Sequence, residues 1–547
     1  MQQIWHYCKN VLSRKETGFI IIIIAVLIKI LLQVAFFSIQ GDKAFQLVAA
    51  KNLLDGHGLT FNYVSLNDLS TEKFSPLIGW PPGYSLVLTP LLWLYNNDHI
   101  AAAITFDILC VFPFFFYLIK LLNFLSPQVW LKNLFILFAG LFFYPVGPNT
   151  ATDFISLSCM LAGLYYLLQI MISNELQIRY IMSAALALFL ACLFRYNYIP
   201  VVFCCPVFLA IAGYFNKKKY WLTNSLYVGT LVIILMCSLL IFQHLYTGAA
   251  TYINSRETGI YPENLTKIYP FVLASLSDLQ TPLTLFSNIF GVNYFLIGTI
   301  LLYLGIALFV TILLFGLNIL FRKKLILQTR KDLFLYFGMV VSTSTLGLLI
   351  FLSLRNSAVI SPLLAPWTYV EEFRYFVFVV LFIQIIIFIY LFDRFAEITA
   401  FWKKIAIVCG IIMMLGSLHR GYYISKLFFI SKPLFHTSQS YSKYTLPVLR
   451  LIKNVQQRYQ NYEIVIASPD PDICNYARLH NIKVVHEFIP EYLSNPIAAK
   501  TPTKILVSIP QKNLHSYSQI LKRPLLLYYG EVQSHYFYIL DVSHYEQ

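Results

Sequence analysis

The chain carries one apolar run after another, and each run has about the length of a helix that crosses a lipid bilayer. The first run, from Gly18 to Ser38, follows the basic residues Lys9, Arg14 and Lys15. Hydrocarbon about 30 Å thick requires about 20 apolar residues per helix. Further candidate spans lie near 100–122, 130–146, 151–173, 180–195, 197–214, 221–245, 293–320, 333–354, 374–393 and 402–420. The sequence therefore predicts a mostly α-helical, polytopic transmembrane bundle of about 11 to 13 helices.

Composition excludes several other classes of protein. Only 12% of the residues are charged and 58% are hydrophobic, whereas a soluble domain has about 25% charged residues. The net charge of +15 comes from basic residues in short loops between apolar runs, which indicates membrane orientation rather than binding to nucleic acid. The nine cysteines form no CxxC pair, so neither a disulfide framework nor a zinc site is indicated.

Basic loops predict which ends of the helices face the cytoplasm. The segments Asn216–Trp221, Phe321–Lys331 and Phe392–Lys404 are rich in lysine and arginine and are expected to be cytoplasmic. The N-terminus is then cytoplasmic, the first helix is retained, and the loop 40–99 and the C-terminus are external. Within that loop, Pro81–Asn97 is apolar but short, so it either enters and leaves the same face or crosses the membrane.

After about Ser425 the composition changes to that of a soluble protein. Short runs rich in β-branched and aromatic residues alternate with helical patterns. These runs are Glu463–Pro469, Ile482–Phe488, Lys504–Pro510, Pro524–Gly530 and Tyr536–Val542. We therefore expect a transmembrane domain over residues 1–422 and a small external α/β domain over residues 425–547. The C-terminal residues contain no glycine-rich phosphate-binding loop, which argues against a nucleotide site there.

The external loop begins with an acidic residue, Asp42, directly before a short amphipathic helix. Its apolar positions Phe45, Val48, Ala49 and Leu53 fall on one helical face. Two interpretations of Asp42 compete: it caps the helix by accepting a backbone N–H, or it takes part in catalysis.

The arrangement "GD…F…A..LL.G.G" from Gly41, followed by "PPGY" at Pro81–Tyr84, resembles the GT-C superfamily of membrane glycosyltransferases. The resemblance is to its protein-mannosyltransferase and aminoarabinose-transferase branch. It implies a polyprenyl-phosphate-linked sugar as donor and Asp42 as the catalytic carboxylate. Many relatives have a second acid directly after the first, whereas here Lys43 follows Asp42. We therefore expect a metal-independent enzyme without a cofactor.

Two arginines are candidates for binding the donor phosphate. Arg374 in "EEFRYF" resembles the late "RY" pair of the family, and a guanidinium can bind phosphate through two N–H groups. Arg195 in "FRYNYIP" lies at the external end of its span. The alternative for both is an interfacial arginine whose charged end reaches water, with Arg374 paired to Glu371 or Glu372.

Three further residues are weaker candidates for lining the substrate cavity. Asp153 either orients sugar or acceptor hydroxyls or stabilises the N-terminus of its helix. Tyr84 and His57 either contact sugar or phosphate or are an ordinary interfacial tyrosine and turn histidine. In "SPDPD", Asp470 or Asp472 is expected to cap a helix rather than to bind a metal.

The predicted function is transfer of a sugar from a polyprenyl-phosphate donor to a glycan, lipid or protein acceptor at the external face of the plasma (inner) membrane. The C-terminal domain is expected to help select or dock the acceptor. The first alternative is a transporter or flippase for a lipid-linked saccharide, which needs the same basic residues but no catalytic base. The second is a non-catalytic scaffold that displays the external domain.

Overall fold

A computed structural model describes residues 10–35, 37, 39, 41–77, 80–142, 151–173, 175–248, 291, 314, 327, 329–355, 377–393, 399–429, 445–485, 497–511, 526–532 and 535–542. The chain divides into two compact units. The first comprises Met1–Ala35 and Asp107–Lys432, and the second comprises Phe36–Phe106 and Pro433–Gln547. The loop 40–99, which follows the first helix, therefore belongs to the same unit as the C-terminal residues.

The helices in the described part of the chain are numbered here in chain order. They are α1 (Lys15–Ala35), α2 (Gly41–Leu54), α3 (Gly83–Leu94), α4 (His99–Leu109), α5 (Val111–Leu125), α6 (Val129–Leu141), α7 (Ala151–Ile172), α8 (Ile178–Phe194), α9 (Ile199–Phe215), α10 (Lys219–Thr247), α11 (Arg330–Arg355), α12 (Val377–Ile386), α13 (Ala400–Phe429), α14 (Thr445–Arg458) and α15 (Pro471–Leu479). The strands are β1 (Thr60–Ser65), β2 (Asp68–Pro76), β3 (Glu463–Ala467), β4 (Lys483–Val484), β5 (Thr503–Pro510), β6 (Leu526–Val532) and β7 (His535–Asp541).

Apolar helices dominate the first unit. Within the described ranges, six helical segments are long and apolar enough to cross a membrane, and four shorter apolar helices accompany them. The six are Lys15–Val34, His99–Leu125, Thr152–Ile172, Tyr196–Phe215, Lys219–Thr247 and Ala400–Leu418. The prediction of a multi-pass helical membrane protein is confirmed. The short segment after Pro81 forms α3, a helix of 12 residues that belongs to the second unit.

Helices α1 and α6 approach each other closely in the first unit. A Cβ added to Gly140 on α6 would lie 2.7 Å from Cα and 2.9 Å from the carbonyl oxygen of Ala25 on α1. Small residues allow such close backbone contact between helices in a membrane, where lipid provides no hydrophobic drive for association. The Lys29 ammonium of α1 also donates a hydrogen bond to the carbonyl of Phe142, just after α6.

The close contact predicts that Gly140→Ala destabilises the protein by about 1–3 kcal/mol, because the added methyl group must push the two backbones apart. The measurement is the thermal unfolding midpoint of purified protein in detergent. Gly347→Ala is a matched control, since Gly347 lies in α11 and an added Cβ meets nothing within 4 Å. Equal midpoints for the two variants would contradict the close packing of α1 on α6.

A five-stranded sheet forms the centre of the second unit. Its strand order is β4-β3-β5-β7-β6; β3 pairs in parallel with β4 and β5, and β7 pairs antiparallel with β5 and β6. Ile464 and Ile466 of β3 point to one face and Val465 and Ala467 to the other, and all four are buried. Burial on both faces of the sheet explains why β3 is a continuous apolar run. The predicted α/β fold of the C-terminal residues is confirmed.

Different elements cover the two faces of this sheet. Residues of α14 and α15, including Ile452 and Ala477, share a core cluster with Ile464 and Ile466. The core cluster on the other face of the sheet contains Val64 and Leu69 of the loop 40–99.

The loop 40–99 contributes to that cluster through a β-hairpin, in which β1 pairs antiparallel with β2. Val64 forms a parallel bridge with Val485, directly after β4. The N–H of Leu69 donates to the carbonyl of Ala498 at 2.9 Å. This hairpin was not among the predicted elements, and it makes the loop an integral part of the C-terminal fold.

Candidate active site

Asp42 lies in the first turn of α2, immediately after a left-handed residue. Gly41 has φ of +47°, a conformation that glycine adopts at no steric cost. Asp42 is half-buried, and the lysine that follows it is buried with its ammonium 4.4 Å from the centre of the Phe37 ring. The predicted helix is present, but its burial does not follow the predicted apolar face: Phe45 and Leu53 are half-buried, whereas Gln46 is buried together with Val48.

Helix α3 holds the middle of α2. The Ser85 hydroxyl donates to the carbonyl of Gln46 at 2.9 Å, and the Thr89 hydroxyl donates to the carbonyl of Ala50 at 3.3 Å. Both hydroxyls lie on one face of α3, four residues apart, so the two helices are joined at consecutive turns.

Helix α15 of the C-terminal domain holds the beginning of α2. The N–H of Gly41 donates to Oδ1 of Asp472 at 2.8 Å, and the Tyr476 hydroxyl donates to the carbonyl of Ile39 at 2.7 Å. The first N–H of a helix has no partner within the helix, and here its partner is Asp472, from a distant part of the chain. Asp42 is the next residue of the helix after Gly41.

Asp470 caps the N-terminus of α15. The sequence predicted that either Asp470 or Asp472 would do so. The Asp470 side chain accepts from the N–H of Asp472 at 2.9 Å. Burial raises the pKa of the Asp472 carboxyl, while the bond from Gly41 acts in the opposite direction and the neighbouring charge of Asp470 adds to the rise. Ionisation of Asp472 therefore lowers the free energy of unfolding. This loss is complete above the pKa of Asp472 in the folded protein, and it vanishes as the pH falls below the pKa of the same group in the unfolded chain.

Arg478, near the end of α15, anchors the hairpin. Its Nε donates to the carbonyl of Asn62 in β1 at 2.7 Å, and its Nη1 donates to Oδ1 of Asn475 at 2.9 Å. The guanidinium lies 5.7 Å from the centre of the Phe61 ring. Burial lowers the pKa of Arg478. Lys51 of α2 donates to Oδ1 of Asn481, just beyond α15, at 2.6 Å.

Arg478→Ala is expected to loosen the hairpin, because it leaves the buried carbonyl of Asn62 without its donor, at a cost of about 1–3 kcal/mol. The measurement is hydrogen exchange of the backbone amides of β1 and β2, which should become faster. Arg450→Ala, at an exposed position of α14, is the matched control. Unchanged exchange in the hairpin of Arg478→Ala would show that the buried arginine does not anchor it.

The first unit contains a buried ion pair between two of the candidate residues. Nε of Arg195, at the end of α8, lies 2.7 Å from Oδ1 of Asp153 in the first turn of α7, and the side chains are 8% and 1% exposed. Nη1 of Arg195 also lies 3.3 Å from the Thr152 hydroxyl. Charges at this depth are costly unless they are paired, and here the two charged side chains lie next to each other. The sequence predicted each residue separately but not their pairing.

The remaining candidates have different surroundings. Tyr84 lies in α3, is fully buried, and packs against Phe106 with ring centres 5.3 Å apart. His57 is exposed in the turn after α2 and stacks on Phe74 with ring centres 4.0 Å apart. Arg374 lies outside the described residues. Among the residues that the structure describes, no group of three or more His, Cys, Asp or Glu side chains is arranged to hold a metal ion.

Comparison with known proteins identifies this fold. No family model and no curated protein matches the sequence. Two crystal structures of ArnT from Cupriavidus metallidurans match nearly the whole chain, each at 10% sequence identity. The structure bound to undecaprenyl phosphate has a TM-score of 0.50 and covers 96% of this chain and 98% of its own. The apo structure has a TM-score of 0.51 and covers 97% and 99%. The resemblance predicted from the segments around Asp42 and Tyr84 is therefore confirmed at the level of the fold: the chain has the fold of these ArnT structures.

Proposed function

We propose that the protein is a membrane glycosyltransferase that moves a sugar from a polyprenyl-phosphate donor to an acceptor hydroxyl, with Asp42 as the general base. The observation that carries this proposal is the match over nearly the full chain to ArnT bound to undecaprenyl phosphate. A fold alone does not determine an activity, so the residues of this chain must also suit the chemistry.

Asp42 suits the role of a base because it is half-buried at the start of a well-anchored helix. In the reaction, the acceptor oxygen forms a bond to the anomeric carbon and its proton passes to the Asp42 carboxylate. The bond between the anomeric carbon and the phosphate oxygen breaks, and its electrons leave with polyprenyl phosphate. A carboxylate within hydrogen-bond reach of the acceptor hydroxyl can take up its proton as the oxygen attacks.

The departing phosphate gains negative charge and needs cationic partners. Arg374 is the main candidate and Arg195 the second. Arg195 is ion-paired with Asp153 through Nε, but a guanidinium has five N–H donors in a planar fork. The contacts to Asp153 and Thr152 fix the orientation of the planar Arg195 guanidinium, which supports a role for it in oriented binding of phosphate. Asp153, Tyr84 and His57 remain secondary candidates.

We place the reaction at the external face of the inner membrane, with the N-terminus in the cytoplasm, on the basis of the distribution of lysine and arginine in the loops. A lipid-linked donor fits this location because it carries its sugar within the bilayer. The partners are then the donor lipid, the bilayer and a glycan, lipid or protein acceptor.

The test is sugar transfer by the purified protein in detergent. Undecaprenyl phosphate carrying aminoarabinose, mannose or glucose is offered with a mixture of envelope lipids and glycans as acceptors. The expected result is release of undecaprenyl phosphate, detected by mass spectrometry, that depends on both protein and acceptor. The proposal fails if the protein binds these donors, moves them across liposome membranes and releases no undecaprenyl phosphate, which is the behaviour of a carrier.

A further inference from the structure

The second unit contains a set of contacts that the proposed chemistry does not itself use. Residues 39 and 41, directly before Asp42, are each bonded to a side chain of α15. The two side chains, Asp472 and Tyr476, are four residues apart and lie on one face of that helix. The chain separation between Gly41 and Asp472 is 431 residues, so these bonds hold two distant segments together at the point where the external loop enters α2.

Loss of either of these hydrogen bonds is expected to be costly. Tyr476 is fully buried, and a buried hydroxyl that loses its partner costs free energy. Gly41 has a left-handed backbone, and a residue of this type is where the direction of a chain is most easily altered. Fixing the carbonyl of Ile39 and the N–H of Gly41 fixes the direction from which the chain enters α2.

Helix α15 is itself firmly placed. Asp470 caps its first turn, and Ile473 and Ala477 belong to the core cluster beneath the sheet. A second contact between the two helices lies at their other ends, where Lys51 donates to Asn481 at 2.6 Å. Helices α2 and α15 are thus joined at both ends.

We propose that Asp472 and Tyr476 are positioning residues, through which the C-terminal domain holds Asp42 in its reactive place. The inference rests on the proposed function, in which Asp42 is the base. It assigns the domain a part in catalysis through the geometry of α2. A catalytic group must stay within about 0.5 Å of its productive position, and a misplacement of about 1 Å lowers the rate by about 10²-fold.

The experiment measures kcat and the KM for the donor in four variants of the full chain. Asp472→Ala is expected to lower kcat by about 10- to 100-fold with the donor KM changed less than about twofold, since only the position of the base changes. Asp472→Asn keeps an oxygen that accepts from Gly41 and is expected to stay within about threefold of wild type. Tyr476→Phe should lower kcat by about 3- to 30-fold.

Asp541→Ala is the matched control. Asp541 is a partly buried carboxylate of the same domain that pairs with Lys504. The kcat of Asp541→Ala should stay within about threefold of wild type even where its thermal stability falls as much as that of Asp472→Ala. If Asp472→Ala does not yield folded protein, Tyr476→Phe and Asp472→Asn decide the question.

A double variant separates positioning from a general loss of structure. In an Asp42→Asn background, Asp472→Ala is expected to cause no further loss of the residual rate, because two residues that act as a unit are not additive. The inference is overturned if the two losses multiply, if Asp541→Ala loses as much kcat as Asp472→Ala, or if Asp472→Asn is as inactive as Asp472→Ala. If Asp42→Asn alone keeps the wild-type rate, the proposed function fails instead.

Discussion

Asp42→Asn is expected to lower the rate of sugar transfer by about 10²- to 10⁴-fold, the usual contribution of a general base. The amide keeps the size and one acceptor oxygen of the carboxylate but cannot take up the acceptor proton at neutral pH. Binding of the donor should change little, because the base acts on the acceptor hydroxyl and not on the donor phosphate. The measurements are kcat in the transfer assay and donor affinity from a direct binding titration.

Asp55→Asn is the matched control for this variant. Asp55 lies just past the end of the same helix, is exposed, and is 3.4 Å from Lys51, so its exchange should leave the rate within about twofold of wild type. An active Asp42→Asn would assign proton abstraction to another group. A variant that loses donor binding together with turnover would instead make Asp42 part of the donor site.

Asp153→Ala is expected to destabilise the protein by about 3–5 kcal/mol, because it leaves the Arg195 guanidinium buried without its carboxylate partner. The separation of 2.7 Å and the burial of both side chains make this pair the most sensitive polar contact described in the first unit. The measurement is the thermal unfolding midpoint in detergent, with the monodisperse fraction after size-exclusion chromatography as a second measure.

Removal of both charges provides the control. The double variant Asp153→Leu/Arg195→Met replaces the ion pair with apolar side chains and is expected to recover most of the lost stability. If Arg195 also binds the donor phosphate, this stable double variant should still bind donor more weakly than wild type. A single Asp153→Ala variant as stable as wild type would show that the pair does not support the fold.

The sequence predicted the local elements of both units well. The expected span 151–173 is α7, Ala151–Ile172, and the expected strand Glu463–Pro469 is β3, Glu463–Ala467. These predictions succeed because the length of an apolar run and the enrichment of β-branched residues act within one element. The same reasoning located Asp42 at the start of a helix.

What the sequence did not predict depends on distant contacts. The hairpin β1–β2 has a detectable signal, since its first strand is rich in aromatic and β-branched residues and a turn follows at Leu66 and Asn67. Its attachment to the C-terminal sheet has no local signal, because Val64 and Val485 meet only in the folded unit. The partners Asp472 and Tyr476 were likewise unforeseen, although "SPDPD" was recognised as the beginning of a helix.

The second unit is built from two segments that the ribosome produces far apart in time. Residues 36–106 belong with residues 433–547, and residues 107–432 separate them. At about 5–20 residues per second, this interval takes on the order of a minute at the slower rate. During that time the first segment has no sheet to pack against, so its apolar hairpin residues Val64 and Leu69 cannot yet be buried. Completion of the last segment thus acts as the final assembly step for the region around Asp42, so that a chain terminated early would not order the loop that contains it.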